Sequence, residues 1–142
     1  MATFNKFNAF VQTLANGTIN LSSDTMKIML TNTAPVATNS LYGDISGTEL
    51  ASGNGYATGG VAVTSQSSSQ SGGVETVSGT VANPTWTATG SMGPFRYAVV
   101  YDSTATTPLK PLIGWWDYGS SVTLTAGQTF TVSIASGIFT LQ

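Results

Sequence analysis

The side chains that could carry out chemistry are few in this 142-residue chain. It contains no His and no Cys, four Lys and Arg residues, and six Asp and Glu residues. Without His there is no imidazole base and no Ser-His-Asp triad. Without Cys there is no thiolate nucleophile and no thiolate zinc site. Paired carboxylates remain possible as acid–base groups, but we expect no catalytic residue, no cofactor and no bound metal.

Two sets of carboxylates are the remaining candidates for a site. Asp102, Asp117 and Glu75 could converge as a glycosidase pair, which needs two carboxyl groups about 5–10 Å apart. Any six carboxylates on a small domain include such a pair by chance, so the sequence predicts a protein that is not an enzyme. The second set lies near Gly-rich segments and could bind Ca²⁺, although it lacks the alternating ligand spacing of a calcium loop. Its members are Asp24, Asp44 and Glu49.

Arg96 is the only arginine of the chain. It shares a predicted strand face with Asp102, and a nearby predicted strand carries Asp117. Arginine is favoured both in ion pairs and in desolvated interfaces between subunits. Arg96 is therefore expected either to pair with a carboxylate of its own chain or to contact a second subunit.

Trp115 and Trp116 are adjacent on a predicted strand that spans Leu112 to Tyr118. Neighbouring side chains on a strand point to opposite faces, and both faces of this strand are partly apolar. The strand should therefore be covered on two sides. The core supplies one cover. The other is the amino-terminal helix, a loop or a second molecule, and an exposed tryptophan could also stack on a sugar ring.

The surface predicted from composition is unusually neutral. The chain has 23 Thr and 17 Ser against ten charged residues, whereas an ordinary domain of this size carries about 35 charged residues. Such a hydroxyl-rich surface suits a protein that works pressed against other protein. A net charge of −2 gives no electrostatic reason to bind nucleic acid or an anionic membrane. No apolar run approaches the ~18 residues of a membrane span.

The first 17 residues predict a short helix or arm. Thr3 is a suitable N-cap, and Asn16-Gly17 is a suitable end. Between them one apolar stripe is expected, made of Phe4, Phe7, Phe10, Val11 and Leu14. This helix either covers one end of a sheet or docks on a neighbouring subunit. The amino terminus has no basic region followed by an apolar stretch, which favours synthesis in a cytoplasm.

Residues 18–142 predict about eight or nine short strands with turns roughly every ten residues. This pattern is typical of an antiparallel β-sandwich or jelly roll, mainly β, in one domain over 1–142. Met26, Ile28 and Leu30 predict a half-buried strand. We also expect an exposed or mobile loop over 65–73 and a turn at Gly93-Pro94. After that turn, one strand face should be shared by Phe95, Tyr97, Val99 and Tyr101. A hairpin is expected at Ala126-Gly127, between strands 122–125 and 128–134.

Four segments resemble small structural proteins of tailed bacteriophages. They are ATFNKFN at 2–8, LTNTAP at 30–35, GPFRY at 93–97, and LIGW followed by DYGSS between 112 and 121. The resemblance is to capsid cement (decoration) proteins of jelly-roll or β-sandwich type. It implies a subunit made in the cytoplasm of the bacterial host and placed on the virion capsid surface, where it binds the major capsid protein and bridges neighbouring subunits.

The same resemblance implies a homo-oligomer, dimer or trimer, with no catalytic residues, no nucleic-acid partner and no membrane partner. A phage tail or head-fibre component, or a carbohydrate-binding sandwich that contacts host glycans, is the alternative. The expected interface consists of aromatic and arginine anchors with a polar rim. Its predicted members are Phe4, Phe7, Phe10, Arg96, Trp115, Trp116 and Tyr118.

Overall fold

A computed structural model describes residues 2–134 and 137–141, with the backbone alone at 64–66, 78–82, 139 and 141. The ends of the predicted domain, residues 1 and 142, lie outside the described residues. The helices are α1 Asn8–Ala15 and two 3₁₀ turns, Tyr42–Asp44 and Ser46–Thr48. The strands are β1 Phe4–Lys6, β2 Met26–Thr31, β3 Val61–Ala62, β4 Thr64–Ser71, β5 Val74–Ala82, β6 Thr85–Thr87, β7 Met92–Asp102, β8 Leu112–Leu124, β9 Thr129–Thr131 and β10 Phe139–Leu141.

The strands form three antiparallel sheets. The largest has the order β1-β8-β7-β2-β3, the second has the order β10-β5-β4, and β6 pairs with β9. The β2–β7 pair is regular from Met26 opposite Asp102 to Thr31 opposite Tyr97. The mainly β, sandwich-like arrangement predicted from the sequence is confirmed, with ten strands in the described residues instead of eight or nine.

The main core lies between the large sheet and the two small sheets. Ile28, Val100 and Ile113 of the large sheet are fully buried there, and they share one apolar cluster with Val77 of β5 and Trp86 of β6. Transfer of such side chains out of water contributes about 1.5–3 kcal/mol each. One face of the large sheet is therefore closed by both small sheets together.

A second core covers the opposite face of the large sheet. Met29, Val99 and Leu112 are fully buried against Phe7 and Ile45, which come from outside the sheet. The prediction that β2 is half-buried was wrong, because Met29 and Thr31 on its other face are also buried. The central strands are thus buried on both faces, as predicted for the strand that carries the two tryptophans.

Gly60 shows how closely the irregular segment before β3 packs on β2. Its φ is +70°, and an added Cβ would lie 1.9 Å from the carbonyl oxygen of Ile28. No side chain fits at that distance, and the left-handed backbone favours glycine independently. The Gly-rich region from 43 to 60 contains only short 3₁₀ turns, which confirms that it is mostly irregular.

The amino-terminal segment differs from the predicted helix. Helix α1 begins at Asn8, not after Thr3, and Phe7 occupies its N-cap. Phe4 belongs to β1, where it lies opposite Trp116. A spacing of three between Phe4 and Phe7 suits a helix stripe, but pairing with the edge of β8 satisfies the backbone of residues 4–6 instead. The predicted end is confirmed, since the helix stops at Ala15 and Gly17 has φ +70°.

Three predicted turns or loops also differ. Residues 64–71 form β4 and pair with β5, so the Ser-rich tract is a strand that turns at Gly72-Gly73. Gly93-Pro94 lies inside β7 at a register shift. The hairpin at Ala126-Gly127 does not form, because β8 pairs with β7 and β9 pairs with β6. That turn joins two sheets, and the Gly127 N–H donates to the carbonyl of Ala88 (2.8 Å).

The strand face predicted for β7 was also wrong at one end. Phe95 packs in the main core with Ala98, while Val99 and Tyr101 pack in the second core. A register shift lies between Phe95 and Tyr97. The two steps from Phe95 to Tyr97 correspond to five steps along β8, from Val122 to Asp117, and strict alternation of side chains does not hold across such an irregularity. Simple alternation therefore places Phe95 on the face of Val99 and Tyr101, whereas it belongs to the face that lines the main core.

Candidate functional site

A groove of about 320 Å³ opens to solvent where β1, β7, β8 and β9 meet the chain that follows β9. Its apolar wall comprises Phe4, Trp116, Tyr118 and Phe130, and Arg96 lies on the same groove. Two polar residues, Thr131 and Ser133, also line it. We call this feature, defined by these residues, the aromatic groove.

Strand pairing brings the aromatic side chains together. Trp116 and Tyr118 are two residues apart on β8 and therefore share a face. Phe4 is held opposite Trp116 by the β1–β8 pairing, with ring centroids 5.1 Å apart. Phe130 of β9 meets Tyr118 edge to face at 5.7 Å. Tyr118 is nevertheless 59% exposed, so much of its ring remains available to a ligand.

Arg96 is fixed beside the groove by an ion pair with Asp117. Its Nε and Nη2 donate to the two carboxylate oxygens at 2.7 and 2.8 Å. This arginine, followed by the Gly119 N–H, holds the pKa of Asp117 below its usual range. Both side chains are more than a third exposed, so the pair contributes little to stability. The sequence offered two carboxylates as partners of Arg96 within the chain, and the structure pairs it with Asp117 and not with Asp102.

The structure brings together four of the seven predicted interface residues. Phe4, Arg96, Trp116 and Tyr118 line the aromatic groove. The other three lie elsewhere: Phe7 and Phe10 are fully buried, and Trp115 packs 4.6 Å from Phe7 in the second core.

Trp115 therefore has its cover from its own chain, as one of the alternatives predicted. The ring of Phe7, just before α1, lies against it, and Trp115 packs on the second core to which Phe7 belongs. Sequence reasoning missed Phe130 as a groove residue. The signal was present, because Phe130, Val132 and Ile134 alternate with Thr129, Thr131 and Ser133 and were predicted to point inward.

The carboxylates proposed for hydrolysis do not converge. Tyr97 lies opposite Asp117, and Asp102 is further along the same strand. At about 3.4 Å per residue the two positions are separated by roughly 17 Å along β7. Glu75 belongs to β5 in the second sheet. This separation exceeds that of a glycosidase pair.

The three carboxylates proposed for Ca²⁺ are dispersed as well. Asp44 accepts hydrogen bonds from the backbone N–H groups of Ser40 (2.8 Å) and Leu41 (3.0 Å). Asp24 accepts from the N–H of Asn20 (2.6 Å). Within residues 2–134 and 137–141, no three acidic side chains are grouped where they could hold a metal ion.

Glu49 joins the irregular segment to the large sheet. Its carboxylate accepts hydrogen bonds from the hydroxyls of Tyr42 and Tyr56 (2.6 Å to Tyr56) and from the Gly59 N–H (2.7 Å). Burial, followed by Glu49 itself, raises the pKa of both tyrosines, and the same two causes raise the pKa of Tyr101 to about 12. The tyrosine hydroxyls therefore remain protonated donors through neutral pH, and Glu49 acts as a structural acceptor.

Asp102 is a fully buried carboxyl group at the end of β7. One of its oxygens accepts hydrogen bonds from the N–H groups of Thr104 (2.7 Å) and Ala105 (3.2 Å). Burial raises the pKa of Asp102, and the neighbouring Asp24 carboxylate raises it further. The ionised form is thus disfavoured in the folded chain.

Asp102→Asn should consequently stabilise the protein in a pH-dependent way. Below the unfolded pKa of Asp, about 3.9, the carboxyl of residue 102 is protonated in both the folded and the unfolded chain, so its ionisation does not lower the free energy of unfolding. As pH rises through the raised pKa of Asp102, the buried charge lowers stability, and the amide avoids this cost. We expect a higher urea midpoint at about pH 7 and little change at about pH 3.

Asp44→Asn provides a control of opposite sign. The N–H groups of Leu41 and Ser40 hold the pKa of Asp44 low, so its charged form stabilises the fold at neutral pH. This variant should lose stability near pH 7 and none at low pH. A neutral-pH loss of stability in Asp102→Asn would contradict the assignment of a destabilising buried charge.

Comparison with known proteins identifies no relative of this chain. No protein-family model, no curated protein and no solved structure matches the chain. Across the described ranges, the helices lack the length and apolar character needed to cross a bilayer.

Proposed function

We propose that this chain is a structural virion protein, a capsid cement (decoration) protein that binds the outer surface of a major capsid shell and bridges neighbouring subunits. It has no enzymatic activity. One observation carries the proposal: the aromatic groove stays open to solvent with Tyr118 more than half exposed. The segments that resemble tailed-phage decoration proteins support the same function, and three of them, 2–8, 93–97 and 112–121, contribute groove residues.

The groove has the composition of a protein-docking site. Interfaces are enriched in aromatic residues and arginine at their centre and are polar at their rim. Trp116, Tyr118 and Arg96 supply such anchors, and Thr131 and Ser133 supply the rim. Arg96 is already paired with Asp117, so the guanidinium adds a planar apolar surface and spare N–H donors without an unpaired charge. A partner side chain that is apolar and flat would fit this site best.

The neutral surface suits a protein that is repeated many times on one shell. With ten charges and a net charge of −2, neighbouring copies repel one another only weakly. Each attachment can be modest when a subunit contacts two capsid proteins at once, because the second contact forms at high effective concentration. Distributed weak contacts of this kind stabilise a lattice without requiring one large interface.

A glycan ligand is the second candidate for the same groove. The exposed ring of Tyr118 lies near Trp116 and beside hydroxyl-bearing side chains, an arrangement on which a sugar ring could stack. Titration with mono- and oligosaccharides should quench or shift tryptophan fluorescence if this is the function. A cement protein should show no such change.

The decisive test of the proposal is binding to capsids that lack the protein. Purified protein is mixed with such capsids, sedimented, and the capsids are then heated or diluted. We expect co-sedimentation and a higher temperature of capsid disruption. Folded protein that neither sediments with capsids nor protects them would contradict the proposal, and sugar-dependent fluorescence in that case would favour the glycan function.

A further inference from the structure

The dipeptide Asn-Gly occurs twice in the chain, at Asn16-Gly17 and at Asn54-Gly55. In such a pair the backbone nitrogen of the glycine can attack the amide carbon of the asparagine side chain. Glycine favours this attack because it has no Cβ to crowd the nitrogen and its backbone turns freely. Both pairs have the same chemistry in an unfolded chain, so their surroundings in the fold decide which of them reacts.

Asn54 is held by a second segment of the chain. It lies in a tight turn with φ 53°, and its side-chain Nδ2 donates a hydrogen bond to the carbonyl of Ser91 (2.8 Å). Its own carbonyl accepts from the Thr89 N–H (3.0 Å). The side chain must therefore give up its bond to Ser91 before its amide carbon can reach the nitrogen of Gly55.

The backbone of residues 87–91 also leaves this turn no room to rearrange. An added Cβ on Gly55 would lie 2.1 Å from the carbonyl oxygen of Thr87, and one on Gly90 would lie 2.5 Å from Oδ1 of Asn54. The segment thus packs against both groups that would react, the amide and the glycine. Reaction at Asn54 consequently requires the turn to separate from residues 87–91, which is more than local fraying.

Asn16 is attached through its backbone alone. It is exposed at the C-cap of α1, and its side chain takes part in none of the hydrogen bonds found among the described residues. Its N–H donates to the carbonyl of Gln12 (2.9 Å), and the Gly17 N–H donates to that of Leu14 (3.0 Å). An added Cβ on Gly17 would contact nothing within 4 Å. The Asn16 amide can therefore turn towards the glycine without breaking a bond of its own.

The hydrogen bond of the Gly17 N–H is the only one that must open for this reaction. It belongs to the end of an eight-residue helix. Helix ends have few stabilising contacts and open at a small cost in free energy. Reaction at Asn16 thus needs the opening of one terminal turn, whereas reaction at Asn54 needs two segments to part.

We propose that Asn16 is a site of spontaneous deamidation and that the fold protects Asn54. The Gly17 nitrogen forms a bond to Cγ of Asn16, the bond between Cγ and the side-chain nitrogen breaks, and ammonia leaves with the proton of the Gly17 amide. Water then opens the cyclic imide at either carbonyl and gives aspartate or isoaspartate. The reaction consumes only water and is independent of the proposed capsid function.

The products change the carboxyl end of α1. Each conversion adds one negative charge to a chain whose net charge is −2, and places it at the negative end of the helix dipole. In isoaspartate the main chain also passes through the side-chain carbon, and the added CH₂ disturbs the bond between the Gly17 N–H and Leu14. Both products therefore loosen the last turn of the helix and make the protein more acidic as it ages.

Peptide mass spectrometry of the purified full chain, incubated at mildly alkaline pH, tests the proposal. In the native chain Asn16 should convert about tenfold or more faster than Asn54, because a helix end opens more readily than two packed segments part. In denaturing urea both should convert at similar rates, since both precede glycine. Chromatography should resolve two products at position 16, as the cyclic imide requires.

Asn16→Gln and Asn54→Gln are matched variants for a second measurement. Glutamine reacts far more slowly because it must form a larger ring with the next backbone nitrogen. Asn16→Gln should abolish the acidic form that accumulates on isoelectric focusing, and Asn54→Gln should retain it. Tryptophan fluorescence confirms that each variant is folded, and the comparison of native chain with urea needs no variant.

Three results would overturn the proposal. Asn54 could convert as fast as Asn16 in the native chain. Asn16 could stay intact in the native chain while both residues react in urea. Or position 16 could yield aspartate alone, which would indicate direct hydrolysis of the amide. None of these results would bear on capsid docking through the aromatic groove.

Discussion

Tyr118→Ala should weaken capsid binding about 30-fold or more while leaving the fold intact, because aromatic anchors of interfaces typically contribute at least 2 kcal/mol. Tyr118 is 59% exposed, so its removal forfeits little burial within the chain. Its ring forms the outer wall of the aromatic groove next to Phe130. The measurement is a binding isotherm on capsids that lack the protein, with the thermal midpoint of each variant recorded alongside.

Leu109→Ala is the matched control for this prediction. Leu109 is also 59% exposed but lies outside the aromatic groove, in the loop between β7 and β8. It should bind capsids as the native chain does. Equal loss of affinity in both variants would indicate a general surface effect. Unchanged affinity in Tyr118→Ala would remove the groove as the docking site.

Glu49→Ala should lower the free energy of unfolding by about 3 kcal/mol or more, since each polar group left without its charged partner costs about 1–3 kcal/mol. The carboxylate accepts hydrogen bonds from Tyr42, Tyr56 and the Gly59 N–H. The Tyr56 hydroxyl also accepts from the Leu30 N–H (3.1 Å), so the loss extends to β2. Urea denaturation followed by tryptophan fluorescence measures the change.

Glu75→Ala separates this effect from the loss of any half-buried glutamate. Among the hydrogen bonds described, Glu75 accepts from the Ser68 hydroxyl alone. Its replacement should cost about 1 kcal/mol or less, as for most surface positions. Similar losses in the two variants would contradict the role of Glu49 as the acceptor that fastens residues 42–59 to the sheet.

The fold class was predictable because its signals are local. Alternation in Met26–Thr31 and around Phe130 marks strands, and Gly17 marks the end of a helix wherever they occur. The two-sided cover of Trp115 and Trp116 followed from the pleat alone. Each of these conclusions needs only the residues of one segment and the geometry of a strand or helix.

The errors arose where pairing with a distant segment decides the structure. Phe4 and Phe7 have a spacing that fits a helix, yet the edge of β8 takes residues 4–6 into a sheet. The Ser-rich tract lacks hydrophobic alternation, yet β5 provides it with a partner. Long-range pairing of this kind overrides local preference.

The site was predictable in part for the same reason. Phe4, Arg96, Trp116 and Tyr118 were selected as individual anchors, but only the β1–β8 and β7–β8 registers place them on one groove. Phe7 and Phe10 were selected on the same grounds and are buried instead. Aromatic character identifies an anchor, whereas exposure decides whether it can bind a partner.

The copy number of the protein in purified virions tests the central claim most directly. Quantitative mass spectrometry of such particles would compare the amount of this chain with the amount of the major capsid protein. A cement protein should be present at a number close to that of the capsid subunits. A few copies per particle, or none, would contradict the account and assign the chain to a tail, a vertex or a function outside the virion.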